Sequence, residues 1–119
     1  MANCHAMRRD VQDWTPEKQD AYRRRGCWQR AEADNGAVYL IDLGLIQSFA
    51  AGATTSVYAD EGGSFNVMNL RVWYFSCEGH YNVLQDRGLG PTMYAPPRSV
   101  ARHISDIVCA GAGVEPRRN

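Results

Sequence analysis

The sequence predicts an α+β fold in which a small, mostly antiparallel sheet is flanked by three helices. The chain has 119 residues, of which 45% are hydrophobic and 22% charged, as in an average folded domain. Residues 67–76 and 80–85 alternate in polarity on either side of a Glu-Gly pair, which is typical of two antiparallel strands joined by a turn. Helix signals occur before and after these strands, so both element types are expected in one domain.

Three segments carry the helix signals. A Thr-Pro-Glu sequence opens residues 15–25 with an N-cap, a first helical residue and a first-turn acid, and a glycine follows the segment. Residues 38–49 place apolar side chains at helical spacing and predict a buried helix, although the β-branched residues at its start leave a strand open. A serine caps the amphipathic segment 99–110, which predicts the last helix.

The remaining segments complete the predicted domain. Residues 54–58 are β-branched and predict a short strand, which the Asp-Glu-Gly-Gly sequence at 60–63 closes with a turn. Residues 87–97 contain two glycines and three prolines beside their polar side chains, and predict a loop. We therefore expect one compact α+β domain over residues 1–110, followed by a flexible C-terminal tail at 111–119.

The charges are balanced overall but unevenly distributed. Residues 1–30 carry seven Lys or Arg against four acids, residues 31–86 carry one against seven, and residues 87–119 carry five against two. With no net charge and no RNA-binding motif, we do not expect a nucleic-acid partner. No segment is long and apolar enough to span a bilayer, so no membrane partner is expected. The first ten residues hold no signal-peptide run, which predicts an intracellular, cytoplasmic location.

Four cysteines, Cys4, Cys27, Cys77 and Cys109, offer several chemistries. Without a secretion signal, disulfides are not expected. Cys77 and His80 have the spacing of zinc ligands, but a second close pair is missing, so neither a metal nor another cofactor is predicted. Cys77 and Cys109 lie among apolar neighbours, and we expect them to pack in the core as small hydrophobic residues.

His80 and Asn82 are the candidate catalytic residues that the spacing itself supports. Two residues apart on a predicted strand, they project from the same face. An asparagine there can orient one imidazole nitrogen and leave the other free as a general base. The pair would then be two members of a Cys-His-Asn set, in which a third group orients the base. On the spacing alone, an ordinary polar histidine beside a turn is the preferred interpretation.

A longer stretch, Trp28 to Leu84, resembles the C-terminal half of the ovarian-tumour (OTU) domain cysteine proteases, which are papain relatives of the deubiquitinase type. The resemblance covers about half of the chain, and its most specific part is the His-Tyr-Asn sequence. It implies that His80 is the general base and that Asn82 is its orienting partner. The matching pieces are Trp28, Leu40–Phe49, Thr55–Tyr58, Asp60–Gly63, Leu70–Phe75 and His80–Asn82.

The resemblance leaves the nucleophile open. The family carries an Asp-Gly-Asn/Asp-Cys motif before the Trp segment, and its only counterpart here is Asn3-Cys4, without the Asp-Gly. The alternative is Cys27, because Gly26-Cys27-Trp28 resembles the Gly-x-Cys-Trp segment of papain-like proteases. The third alternative is that neither cysteine acts and the fold serves binding alone.

Two functions follow from these alternatives. In the first, the chain is a compact or degenerate OTU-like cysteine peptidase, in which Cys4 or Cys27 attacks a peptide or isopeptide carbonyl of a ubiquitin-like or polypeptide substrate. His80 would take up and return the proton, and Asn82 would hold its ring. A viral deubiquitinase-like or self-processing role would fit the small size. In the second, the same fold is a non-catalytic assembly or interaction module that binds a protein partner, with a virion-associated location as one possibility.

Overall fold

The computed structural model describes Thr15 and residues 27–114. Within these residues the chain forms eight strands, two 3₁₀ turns and one α-helix. The strands are β1 (Trp28–Glu32), β2 (Val38–Asp42), β3 (Gln47–Phe49), β4 (Gly52–Asp60), β5 (Leu70–Phe75), β6 (His80–Gln85), β7 (Gly88–Leu89) and β8 (Met93–Tyr94). The 3₁₀ turns are Leu43–Leu45 and Val67–Asn69, and the helix, α1, is Val100–Gly111.

All eight strands belong to one antiparallel sheet. Its strand order is β1-β2-β4-β5-β6-β7, with β3 paired to the start of β4 and β8 paired to the start of β6. The nine-residue strand β4 lies in the middle of the order and pairs with β2, β3 and β5. Because neighbouring strands follow each other closely along the chain, short turns connect most of them.

The two faces of the sheet support separate apolar clusters. One face carries Ile41, Val57 and Phe75, which pack with Ile104 and Val108 of α1. The opposite face carries a smaller cluster, in which Tyr58 and Leu70 are packed against three half-buried residues, Trp28, Leu40 and Phe65. Both faces of the central strand are therefore buried, so β4 is apolar or uncharged at almost every position and does not alternate cleanly.

Helix α1 confirms the prediction of a C-terminal helix that packs on the sheet. Ser99 is its N-cap, and the Ser99 hydroxyl accepts a hydrogen bond from the Arg102 backbone N–H at 3.1 Å. Ile104 and Val108, four residues apart, are fully buried against the sheet. After the helix, Val114 donates its backbone N–H to the Cys109 carbonyl at 2.8 Å and packs against the same core.

The prediction of three flanking helices is wrong. Residues 38–49, expected as a helix, form strand β2, a 3₁₀ turn and strand β3. The physical reason is that β2 is inserted between β1 and β4, with side chains half-buried or buried on both faces, and such a strand has the same unbroken apolar run as a buried helix. The helix predicted at 15–25 lies outside the described residues, apart from Thr15.

The strand predictions are confirmed where polarity alternates. Strands β5 and β6 pair in antiparallel register as expected, with Trp73 opposite Val83 and Phe75 opposite Tyr81. The strand predicted at 67–76 is shorter than expected, because residues 67–69 form a 3₁₀ turn. The predicted strand at 54–58 is present inside the longer β4, and the predicted loop at 87–97 contains the two short strands β7 and β8. Among the residues that the structure describes, no helix is long and apolar enough to span a membrane.

Cys77 and Cys109 form a disulfide bond, so the expectation that the chain lacks disulfides is wrong. The bond joins the turn between β5 and β6 to the last turn of α1 across 32 residues of sequence. Both cysteines are buried in the main apolar cluster, as predicted, but as a disulfide and not as thiols. The sequence could not show this bond, because the spacing of cysteines along a chain does not tell which of them meet in the fold.

Candidate functional site

The two candidate catalytic residues lie on β6, where side chains alternate between the faces of the sheet. Tyr81 points toward the helix-covered face and stacks on Trp73, with ring centroids 5.3 Å apart. His80, Asn82 and Leu84 therefore project from the opposite face. The prediction that His80 and Asn82 share one face agrees with this register.

Asn82 is engaged in holding a neighbouring loop. Its side-chain amide donates to the Gly90 carbonyl at 3.0 Å and to the Thr92 hydroxyl at 2.9 Å. Both acceptors lie between β7 and β8, so these hydrogen bonds fix the chain that returns from β7 to the sheet. The observed contacts of Asn82 are those of a structural side chain.

His80 is exposed and makes its side-chain contact with a ring. Its imidazole lies 5.5 Å from the Tyr94 ring, centroid to centroid, across the β6–β8 pair. Within the described part of the chain, no hydrogen bond joins the His80 imidazole to Asn82 or to another side chain. The orienting contact that a general base requires is therefore not formed between these two residues.

Of the two candidate nucleophiles, one is oxidised and the other lies outside the residues that the structure describes. Cys27 is disulfide-bonded and so carries no thiolate in this state of the protein. Cys4 lies outside the described residues. None of the three cysteines that the structure describes is a free thiol. The described residues thus bring His80 and Asn82 onto one face but place no reactive cysteine beside them.

The face that carries His80 and Asn82 is apolar and solvent-exposed. We call it the outer face and define it by Phe49, Tyr74, Leu84, Leu89 and Tyr94, with His80 and Asn82 between them. The strand register makes it continuous, because Tyr74 is opposite Asn82, Leu84 is opposite Leu89, and His80 is opposite Tyr94. Phe49 joins this set through an edge-to-face contact with Tyr74, with ring centroids 5.6 Å apart.

Exposure and charge distinguish the outer face from an ordinary protein surface. Its large apolar side chains are unusually exposed: Phe49 43%, Leu84 37%, Leu89 57% and Tyr94 56%. No Lys, Arg, Asp or Glu occurs among its seven residues, nor anywhere in 79–85 or 88–97. Aromatic side chains together with a lack of charge are typical of the central part of a protein–protein interface.

Sequence reasoning missed this surface, although a signal for it was present. The uncharged segments 79–85 and 88–97 are visible in the sequence, but the alternation in the first predicts only a strand, and the glycines and prolines of the second predict only a loop. Only the register of β7 and β8 on β6 shows that Leu89 and Tyr94 lie on the same side as Leu84.

A cleft of about 360 Å³ lies between the β1–β2 turn and the first turns of α1. It is lined by charged side chains of both signs, among them Asp34, Arg98, Arg102 and Asp106, and by His103. The similar numbers of acids and bases give it no preference for an anion or a cation. In this cleft and elsewhere in the described residues, no three His, Cys, Asp or Glu side chains are placed so that they could hold a metal ion together.

Comparisons with known proteins add no relative. No protein-family model, no curated protein and no solved structure matches the chain.

Proposed function

We propose that the chain is a non-catalytic assembly module that associates with a second copy of itself through the outer face. The observation that carries the proposal is the continuous, uncharged apolar surface formed by Phe49, Tyr74, Leu84, Leu89 and Tyr94. Covering such a surface with a partner lowers the free energy of the system, because it removes apolar area from water.

The lack of charge favours a second copy as the partner. In a two-fold symmetric contact each residue of the surface meets residues of the same surface, so any charged side chain near the axis would face a like charge. The outer face contains no such side chain. Its aromatic and leucine side chains belong to the types that are enriched at the centres of interfaces.

Two observations on the candidate catalytic residues support the non-catalytic part. The Asn82 amide is used to hold the loop at Gly90 and Thr92 and is not hydrogen-bonded to His80. Cys27 is disulfide-bonded and has no thiolate to offer. The OTU-like peptidase with Cys4 as its nucleophile stays a prediction from the sequence, and the experiments below distinguish it from an assembly module.

Association can be measured on the purified full chain by sedimentation velocity over a concentration series. We expect a dimer whose fraction rises with concentration and is insensitive to added salt, since no charged pair is formed at the outer face. Leu89→Asp should weaken the dimer at least about tenfold, because it places two carboxylates in an apolar contact. A monomer at every concentration would contradict the proposal.

Met68→Asp is the matched control for that substitution. Met68 is 59% exposed, about as much as Leu89, but it lies in the 3₁₀ turn before β5 and outside the outer face. It should leave the dissociation constant within about twofold of the unsubstituted chain, since surface substitutions away from an interface have small effects. Equal weakening by both substitutions would show a general effect of charge and would overturn the outer face as the contact.

The catalytic alternative is tested with ubiquitin that carries a C-terminal electrophile. We expect no cysteine labelling that depends on His80, either with or without prior reduction of the protein. If one cysteine were labelled and His80→Ala abolished the labelling, the residue would be acting as the base of a thiolate pair, and the non-catalytic proposal would be wrong.

A further inference from the structure

The Cys77–Cys109 disulfide lies inside the protein and not on its surface. Cys77 is 3% exposed and Cys109 is fully buried, and both belong to the main apolar cluster together with Phe75, Ile104 and Val108. The Cys109 sulfur also lies 3.8 Å from the buried Ser105 hydroxyl, one helical turn earlier. A thiol or oxidant in solution therefore has no direct access to either sulfur while α1 is packed on the sheet.

The turn that contains Cys77 is closed by further contacts with the segment around α1. Cys77 has a φ of 62°, in the left-handed region that non-glycine residues rarely adopt. Ala95 donates its backbone N–H to the Gly79 carbonyl at 2.7 Å, and the Arg102 guanidinium lies 5.8 Å from the centre of the Tyr94 ring. The two sulfurs therefore become buried when α1 packs against the sheet and this turn.

We infer that the chain is a substrate of a thiol–disulfide oxidase and completes its folding in an oxidising compartment. The thiolate of one cysteine of the pair attacks the disulfide of the oxidase, forms a mixed disulfide and releases one oxidase thiolate. The second cysteine thiolate then attacks the mixed disulfide, so that the Cys77–Cys109 bond forms and the second oxidase thiolate leaves. Two electrons and two protons pass from the chain to the oxidase, which ends as a dithiol.

The burial of both sulfurs determines when this exchange takes place. Both steps need an oxidase sulfur in line with a cysteine sulfur, so they occur before α1 docks on the sheet. Cytosolic thiols keep such cysteines reduced, whereas secretory and periplasmic compartments oxidise them. The inference departs from the cytoplasmic location that the N-terminal sequence predicts, and the disulfide at Cys27 belongs to the same environment. It does not depend on association through the outer face.

The first experiment compares the reduction of the bond in the folded and unfolded chain. The oxidised full chain is incubated with millimolar reduced glutathione in native buffer or in guanidinium, alkylated, and analysed by peptide mass spectrometry at Cys77 and Cys109. We expect reduction in native buffer to be at least about 100-fold slower, because the helix must first undock. Equal rates would show an accessible bond and would overturn the inference.

The second experiment tests the environment in which the chain folds. The full chain is produced in two bacterial strains that differ only in whether the cytosol is reducing or oxidising. We expect an intact Cys77–Cys109 bond, and with it the higher unfolding midpoint, only from the oxidising strain. The Cys77→Ser/Cys109→Ser variant should show a smaller difference in unfolding midpoint between the strains, because only the disulfide at Cys27 can still differ. An unsubstituted chain with free thiols at both positions and the same midpoint from both strains would overturn the inference.

Discussion

The two faces of β6 have different surroundings, although their residues alternate along a single strand. On the inner face Tyr81 stacks on Trp73 and packs against the cluster that α1 covers. On the outer face Leu84 and its partner Leu89 remain exposed to solvent. The comparison shows that one face of the strand packs into the fold, while the other leaves large apolar side chains exposed to solvent.

The turns at the two ends of β6 repeat the same difference. The turn before β6 holds Cys77 and Gly79 and is joined to α1 by the disulfide. The turn after it leads to Gly88, where an added Cβ would meet no atom within 4 Å. Substitutions at the first turn should therefore lower the free energy of unfolding through lost packing. Substitutions at the second turn should change it only through strain in the local backbone.

The largest effect is expected from removing the disulfide. Cys77→Ala with Cys109→Ala should lower the free energy of unfolding by about 4 kcal/mol, from the entropy that a 32-residue closure removes from the unfolded chain. Denaturant unfolding followed by fluorescence measures it. Leu89→Ala, in β7 beside the other end of β6, should change the free energy of unfolding by less than about 0.5 kcal/mol. Similar losses from both variants would contradict the comparison.

The second effect compares the two turns through glycine-to-alanine substitutions, each of which adds one methyl group. Gly79 has a φ of 104° and Gly88 a φ of 121°, so alanine is strained at both positions. At Gly79 the added Cβ would also lie 2.7 Å from the Arg102 Nη2 and would displace the guanidinium from Tyr94. We expect a loss of about 2 kcal/mol for Gly79→Ala and about 1 kcal/mol for Gly88→Ala.

Unfolding free energies of the two glycine variants, measured under the same conditions, check this order. A Gly88→Ala variant that is the more destabilised of the two would show that the turn after β6 is the more constrained one. Gly79 would then not be the more tightly packed of the two glycines.

A third, smaller effect concerns the two polar residues on the outer face of β6. Asn82→Ala should cost about 1 kcal/mol, because two hydrogen bonds to the β7–β8 connection are lost. Hydrogen exchange should become faster at Gly90 and Thr92. His80→Ala should change stability by less than about 0.5 kcal/mol, since the ring is exposed. A larger loss at His80 would indicate that its contact with Tyr94 holds β8 in place.

The predictable part of this fold was the part in which side chains alternate on a half-buried strand. Residues 67–76 and 80–85 were predicted to pair as antiparallel strands, and the pairing is present with the first strand shortened to 70–75. Every side chain of strand β2 is buried or half-buried, so its residues do not alternate in polarity. Such an apolar run does not distinguish a strand from a buried helix. The amphipathic segment that became α1 has a clear period and a serine cap, and it was also predicted correctly.

The candidate site was less predictable because it depends on contacts that are distant in sequence. The shared face of His80 and Asn82 follows from their spacing, but the engagement of Asn82 with Gly90 and Thr92 depends on how β7 and β8 return to β6. The meeting of Cys77 with Cys109 depends on the docking of α1. Neither contact leaves a local signal in the sequence.

The smallest expected effect is a pH dependence on the inner face of β6. Burial, followed by the nearby phenolate of Tyr39, raises the pKa of Tyr81 above its ordinary value of 10.0. Above that pH the unfolded chain loses the Tyr81 proton before the folded chain does, so the free energy of unfolding should fall as the pH rises through the alkaline range. Tyr81→Phe should remove this dependence while keeping the ring on Trp73, and Tyr39→Phe should reduce it only in part. The free energy of unfolding of the three proteins is to be measured on either side of that pH. If its slope against pH were the same for all three, the Tyr81 hydroxyl would be as well solvated in the folded chain as in the unfolded one.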